Sequence, residues 1–353
     1  SVNLSYYLNQ QGETERTGTQ ADVVSHEAGH AILDAMRPTW LHSMSVASGG
    51  FHEAFGDMIS ILRALNDAPI IPVLKAETNG ELRIPNIVSS VGEQIGTAIY
   101  GEAGGKHGLR SALNNTKYAD AAFLPFVDRD GSHAGLGTEP HAYSKLFTGA
   151  FYDILTGMFD EAHSSPDASF RQATQEAADS AGKLLMRAID FSPVGDITYK
   201  DMAESFLRAD MIDNGGKNLE LLATVFAKRN ILTPEQSAAA LKRDLNVPAL
   251  RYSDKLEKGE TALKYVDKNR EALGIPADVK FEYQGVKTTK TGERFVTLTT
   301  NRDTDLKGKE WGLYEDCKVR VNGGLLLAFG ADGSLTTSVY DAVTDDELED
   351  VQL

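Results

Sequence analysis

Apolar residues recur most regularly between Tyr143 and Phe159. Tyr143, Leu146, Phe147, Ala150, Phe151, Ile154, Leu155, Met158 and Phe159 follow one another at steps of three and four, the spacing of a helix buried along most of its surface. Further helices are predicted at about 169–189, 198–209 and 217–229, separated by the breaks Ser192-Pro193 and Asn214-Gly215-Gly216. After Leu232 the pattern changes. Pro234–Asp244 reads as a polar-faced helix, Asn246-Val247-Pro248 as a linker and Gly259–Leu273 as one more helix. The period then shortens to two in Lys280–Gln284, Arg294–Thr300, Cys317–Val321, Leu325–Phe329 and Leu335–Tyr340, with turns at Thr291-Gly292, Asn322-Gly323 and Asp332-Gly333. This order predicts a mainly α module over residues 1–232, a linker helix over 233–249, a small α+β domain with an antiparallel sheet over 250–342, and an acidic tail over 343–353.

The amino-terminal part is less regular. Val2–Leu8 reads as a strand. A helix follows, started by a capping box at Thr19-x-x-Asp22, stopped before Pro38, and given an apolar side by Val24, Ala28, Ala31 and Leu33. A second helix is expected to start at Gly49-Gly50, with Phe55, Met58, Ile59 and Leu62 as its stripe, and to stop near Asn66–Pro69. Pro72–Pro85 reads as a loop-rich connection and Val91–Ile99 as a helix. Asn114–Thr138 reads as a surface excursion with Phe123, Phe126 and Val127 turned inward.

The first of these helices carries His26-Glu27-Ala28-Gly29-His30, an HExxH pattern. Histidines one turn apart face the same way and suit a Zn²⁺ ion, while the intervening Glu27 addresses the water that such an ion holds. A third ligand is needed. The continuation HExxHxxGxxH fails at Leu33 and Met36, which excludes the metzincin arrangement. An ATP-dependent protease would need a P-loop, and Gly101–His107 lacks its first Gly and its Ser/Thr. On the next helix Glu53 and Asp57 sit one turn apart, so Glu53 completes a His₂Glu set and Asp57 accepts the spare ring N–H of a ligating histidine.

These residues resemble the thermolysin-like (gluzincin, peptidase M4-type) zinc metalloendopeptidases, whose pattern is DVVxHExxH followed by a helix carrying ExxxD. Ile95-Gly96-Thr97-Ala98-Ile99-Tyr100 with Leu109-Arg110-Ser111 is similar to their IGxxIY…LRS segment, and Pro140-His141-Ala142-Tyr143-Ser144 to their VHxxS. The resemblance covers roughly residues 20–232. It implies peptide-bond hydrolysis with zinc on His26, His30 and Glu53, Asp57 behind the metal, and Glu27 as the catalytic acid and base. Arg110 and His141 would face the substrate carbonyl, and Val23, Ile95, Ile99 and Leu109 would line a pocket for an apolar side chain on the leaving-amine side. It also implies secretion.

Departures from that pattern change several expectations. The 22 residues between His30 and Glu53 exceed the family's usual spacing and include no Tyr, so the oxyanion role falls more heavily on His141. The acidic partner of that histidine is replaced by Leu136, leaving Glu139 or Asp130. Positions of the family's paired calcium site fall on Ala64, Gln94 and Thr97, with only Asp22 retained, so calcium is not expected there. His42, His52, His107, His133 and His163 are expected to be structural.

Composition narrows the partners. A net charge of −16 argues against nucleic acid and anionic membranes, and no run of 18 apolar residues exists to cross a bilayer. A peptide or protein substrate is what the resemblance implies. Cys317 is the only cysteine, so no intramolecular disulfide forms. The sequence leaves two alternatives to an endopeptidase, a zinc aminopeptidase and a catalytically silent binding protein. No acidic anchor for a substrate amine is identifiable, and only 25 residues precede His26.

Overall fold

The structure is a computed structural model describing residues 6–8, 14–43, 45–91, 110–118, 139–165, 167–244, 246–305 and 317–342. It is mainly helical, with an antiparallel four-stranded sheet near the carboxy terminus, as the hydrophobic pattern predicts. The chain forms two compact units. One comprises residues 1–36, 49–186 and 220–231, the other 37–48, 187–219 and 232–353.

The first unit opens with a two-stranded hairpin, β1 (Tyr6–Leu8) and β2 (Thr14–Arg16), and continues into α1 (Ala21–Met36). The predicted capping box does not form. The Thr19 hydroxyl donates back to the Arg16 carbonyl at 2.7 Å, and the Gln20 carbonyl accepts the first helical bond from Val24 N–H at 3.0 Å. Asp22 accepts the N–H of Val23 at 2.9 Å instead, its charge complementing the positive end of the helix dipole. The predicted apolar face is also corrected. Val24, Ala28 and Ala31 are exposed, and the buried face is His26, Gly29 and Leu33, because Gly29 brings that side of the helix against Gly56 and Ile59 of the next one.

Helix α2 (Val46–Leu65) starts earlier than its glycines suggest, since the Ser45 hydroxyl accepts Ser48 N–H at 3.3 Å and caps the first turn. Gly49 and Gly50 therefore lie inside the helix. Its Phe51, Ala54, Phe55, Met58 and Ile61 are fully buried. The stretch predicted as loop after Pro72 contains α3 (Ile70–Thr78); Pro72 stands in the first turn, where its missing N–H has no partner to lose. Val91 is in strand β3 (Ser90–Val91), paired antiparallel with β4 (Arg110–Ser111), rather than in a helix. The rest of the predicted 91–99 helix and nearly all of the 114–138 excursion, including Phe123, Phe126 and Val127, lie outside the described residues.

The long helix α4 (Pro140–His163) is the centre of the unit's core, as its periodicity predicts. Phe147 meets Phe51 edge-on at 5.1 Å between ring centroids and lies 6.4 Å from Phe226 of α7 (Leu219–Lys228), while Phe159 meets Phe170 of α5 (Phe170–Asp190) at 5.4 Å.

The second unit holds α6 (Tyr199–Asn214), capped by a reciprocal Thr198/Asp201 box, together with α8 (Pro234–Asp244) and α9 (Gly259–Lys268). Its sheet has the order β5 (Glu282–Thr288), β6 (Arg294–Asp305), β7 (Lys318–Phe329), β8 (Leu335–Asp341). Ala262 and Val266 of α9 join the sheet residues Val296, Leu298, Leu325 and Leu327 in a separate hydrophobic core. Asn322-Gly323 makes no turn. Both residues continue β7, facing Asn301 and Thr300 of β6, and Gly323 serves close contact rather than chain reversal, its Cα lying against Gly195.

Candidate metal centre

Two helices place four chemical groups. The first, α1, carries His26 and His30 one turn apart, and the second, α2, carries Glu53 and Asp57 one turn apart, so each helix presents its pair on a single face. Glycine lets the two faces meet. A Cβ on Gly29 would lie 2.9 Å from the Cα of Gly56, and one on Gly56 would lie 2.6 Å from Nδ1 of His26.

At this crossing one ligand atom each from His26, His30 and Glu53 lies within 4.8 Å of the others. His26 Nε2 is 3.2 Å from Glu53 Oε2, and His30 Nε2 is 3.5 Å from Glu53 Oε1. A tetrahedral Zn²⁺ with bonds near 2.0–2.1 Å keeps its ligand atoms about 3.3 Å apart, close to the distance of each histidine Nε2 from its nearer Glu53 oxygen. Two imidazoles and a carboxylate are also the donor set of a zinc site whose fourth position stays open.

Behind this triad polar groups converge on one carboxylate. Fully buried Asp57 takes His26 Nδ1 at 3.0 Å, Arg110 Nη2 at 2.6 Å, Arg110 Nε at 3.0 Å and the Thr148 hydroxyl at 3.3 Å. Asp57 faces the Nδ1 side of the His26 ring, which leaves Nε2 as the nitrogen directed at Glu53 and the ion position. Charges shift accordingly. Burial alone would lower the pKa of His26, but its bonds to Asp57 and Glu53 carry it to about 9. Burial and the neighbouring His26 charge lower His30 to about 4. Burial would raise Glu53, yet its bond to His26 and the nearby His141 hold it at about 2. Asp57 is likewise held well below the usual carboxylate range, its burial outweighed by the Arg110 guanidinium and His26.

At the start of α4, His141 points Nε2 at Glu53 Oε2, 3.2 Å away, while its Nδ1 meets Glu139 Oε1 at 2.5 Å. Glu139 is the helix N-cap, its other oxygen accepting Ala142 N–H at 2.8 Å. Of the two acids left open by the sequence, Glu139 thus holds the histidine; Asp130 lies outside the described residues.

Other anticipated residues are placed less centrally. Glu27 and Val23 are half-buried on α1. Ile95, Ile99, Leu109, His107 and His133 lie outside the described residues. His163 is exposed and lays its ring against Phe159 and Phe170. One residue set aside as structural reaches the site. His52 Nδ1 is 2.7 Å from His30 Nδ1, and His52 Nε2 is 2.9 Å from Asp34 Oδ1. The only sequence signal for it was adjacency to Glu53, with Asp34 one turn beyond His30.

The family model of the fungalysin metallopeptidases (M36) matches residues 3–232, and the chain belongs to that family of zinc metalloendopeptidases. The M4-type assignment is corrected to this extent, both families being thermolysin-like gluzincins. No curated protein matches the chain.

Proposed function

We propose that this fungalysin-family chain hydrolyses internal peptide bonds with zinc held by His26, His30 and Glu53. The observation that carries the reading is the convergence of those three donor atoms, with Asp57 fixing the ring of one of them. Zinc, when bound, supplies a Lewis acid for the scissile carbonyl and acidifies water at its open position. Glu27 accepts the proton of the attacking water and returns it to the leaving amine nitrogen as the C–N bond breaks. Asp57 holds Nε and Nη2 of Arg110, so that Nη1 serves the substrate carbonyl; Glu139 holds His141 so that Nε2 serves the developing oxyanion. Each such donor is worth about 2–4 kcal/mol in the transition state.

The preferred substrate has a large apolar residue on the leaving-amine side, received by Val23, Ile95, Ile99 and Leu109. Burying a Leu or Phe side chain contributes about 1.5–3 kcal/mol, enough for ten- to hundredfold selectivity. Residues 1–232 serve as the catalytic module, joined through 233–249 to an accessory domain over 250–342. Calcium at the family's paired site is not required, in keeping with Ala64, Gln94 and Thr97 and with Asp22 engaged at its helix start. Secretion follows the habit of the family. Among the described residues no helix is long and apolar enough to cross a membrane.

Casein cleavage and zinc content of purified variants test the reading together. Glu27→Gln abolishes hydrolysis while zinc stays near stoichiometric, and Glu53→Ala loses the metal. Metal loss in Glu27→Gln would make Glu27 a ligand and sink the assignment.

A further inference from the structure

We infer that His52 and Asp34 form a polar chain that fixes the ring tautomer and orientation of His30, making them positioning residues for the metal centre. The inference rests on the zinc reading above and adds to it two residues outside the HExxH and ExxxD patterns.

Asp34 lies one turn beyond His30 on α1. Its carboxylate accepts hydrogen bonds and donates none when ionised. His52 Nε2, 2.9 Å from Asp34 Oδ1, is therefore the nitrogen that carries the His52 proton. In the neutral ring the other nitrogen, Nδ1, then has a lone pair, and it faces His30 Nδ1 at 2.7 Å. Two lone pairs do not face each other at that distance, so His30 carries its proton on Nδ1 and donates it to His52. That leaves a lone pair on His30 Nε2, the atom 3.5 Å from Glu53 Oε1 in the ligand triad. A proton placed the other way round would put N–H where a metal ligand needs an electron pair.

Orientation is fixed by the same contact. The rings of His30 and His52 stack at 4.8 Å with 26° between their planes, and both side chains are less than one-fifth exposed. His26 and His30 are thus held by different partners, an aspartate from the opposite helix in one case and a histidine–aspartate chain in the other.

Two measurements on the full chain decide the matter. Nitrogen-15 NMR of the metal-free protein reads the tautomer of each histidine and is expected to place the His30 proton on Nδ1; a proton on Nε2 overturns the inference. Zinc affinity is measured by competition with a chromophoric chelator. His52→Phe keeps an aromatic ring to stack on His30 but removes the acceptor, and is expected to weaken zinc binding 10- to 100-fold. His52→Gln, whose side-chain oxygen accepts the same proton, restores affinity to within about threefold of wild type, which packing alone would not achieve. Asp34→Ala falls between the two. Unchanged affinity in a folded His52→Phe overturns the inference while leaving the zinc reading intact, whereas a wild-type chain that binds no zinc overturns the reading itself. Should His52→Phe fail to fold, the tautomer in the wild-type protein and the His52→Gln affinity still decide.

Discussion

Glycine brings backbones into contact in both units, with different consequences. In the first, Gly29 and Gly56 let α1 and α2 cross so closely that the His26 ring lies against the backbone of α2. In the second, a Cβ on Gly195 would lie 2.2 Å from the carbonyl oxygen of Asn322, and one on Gly324 would lie 2.5 Å from the carbonyl oxygen of Leu298 and 2.9 Å from Val194 Cβ. There the contact joins a loop to a sheet, with Asp196 N–H donating to the Asn322 carbonyl at 2.9 Å and the Asp196 carboxylate accepting Asn322 N–H at 3.0 Å. One crossing sets the separation of the proposed metal ligands and the other anchors a chain segment. A few tenths of an ångström should therefore cost chemistry in the first case and stability alone in the second.

The largest test of this contrast is Gly56→Ala. The new methyl group must displace the His26 ring, and with it the bonds from His26 to Asp57 and towards Glu53. Zinc affinity is expected to fall by more than about 100-fold, because a misplaced ligand costs at least as much as a lost outer partner. Retention of near wild-type affinity would show that the glycine crossing does not set the site.

Asp57→Ala comes next. Removing the carboxylate strands the Arg110 guanidinium, whose side chain is only 10% exposed, and breaking such a buried pair costs about 3–5 kcal/mol. Urea denaturation of the metal-free protein should show that loss; a change under about 1 kcal/mol would mean that Arg110 finds another partner.

Gly324→Ala sharpens the comparison from the other side. Overpacking against the backbone of β6 and Val194 should destabilise the second unit by about 1–3 kcal/mol, with zinc content and peptide hydrolysis unchanged. If hydrolysis drops in a variant that still folds, the two crossings are not separable.

Asp196→Asn has the smallest expected effect and depends on pH. Burial raises the pKa of Asp196, against opposing hydrogen bonds from Asn322 and Ser43. A carboxyl whose pKa is raised on folding prefers its neutral form in the folded state. Its contribution is thus most favourable in acid and is lost as pH climbs from the ordinary aspartate value near 3.9 through the raised folded value. Asparagine cannot ionise and still offers an oxygen to Asn322 N–H. The variant should gain stability over wild type above that window, by less than the ~1 kcal/mol typical of a point substitution, and show no gain below it. Equal stability differences at both ends would remove Asp196 ionisation from the account.

Short-range regularity is what the sequence by itself determined. His26 and His30, or Glu53 and Asp57, share a face because the helix repeat lies near their spacing, and the apolar residues of Tyr143–Phe159 face inward for the same reason. Alternation likewise marks the strands of the terminal sheet, and Thr291-Gly292 and Asp332-Gly333 turn because their glycines take positive φ angles of 89° and 81°. Contacts between elements were decided only by the tertiary structure. The Arg110 grip on Asp57, the His30–His52–Asp34 chain and the continuation of β7 through Asn322-Gly323 all depend on what lies across a packing interface. A glycine between two residues looks the same in sequence whether it turns the chain or admits a neighbouring backbone. A histidine beside a ligand looks the same whether it faces solvent or a second imidazole. Periodicity reports the direction of a side chain about its own helix or strand, whereas its partner is chosen by the packing of distant segments.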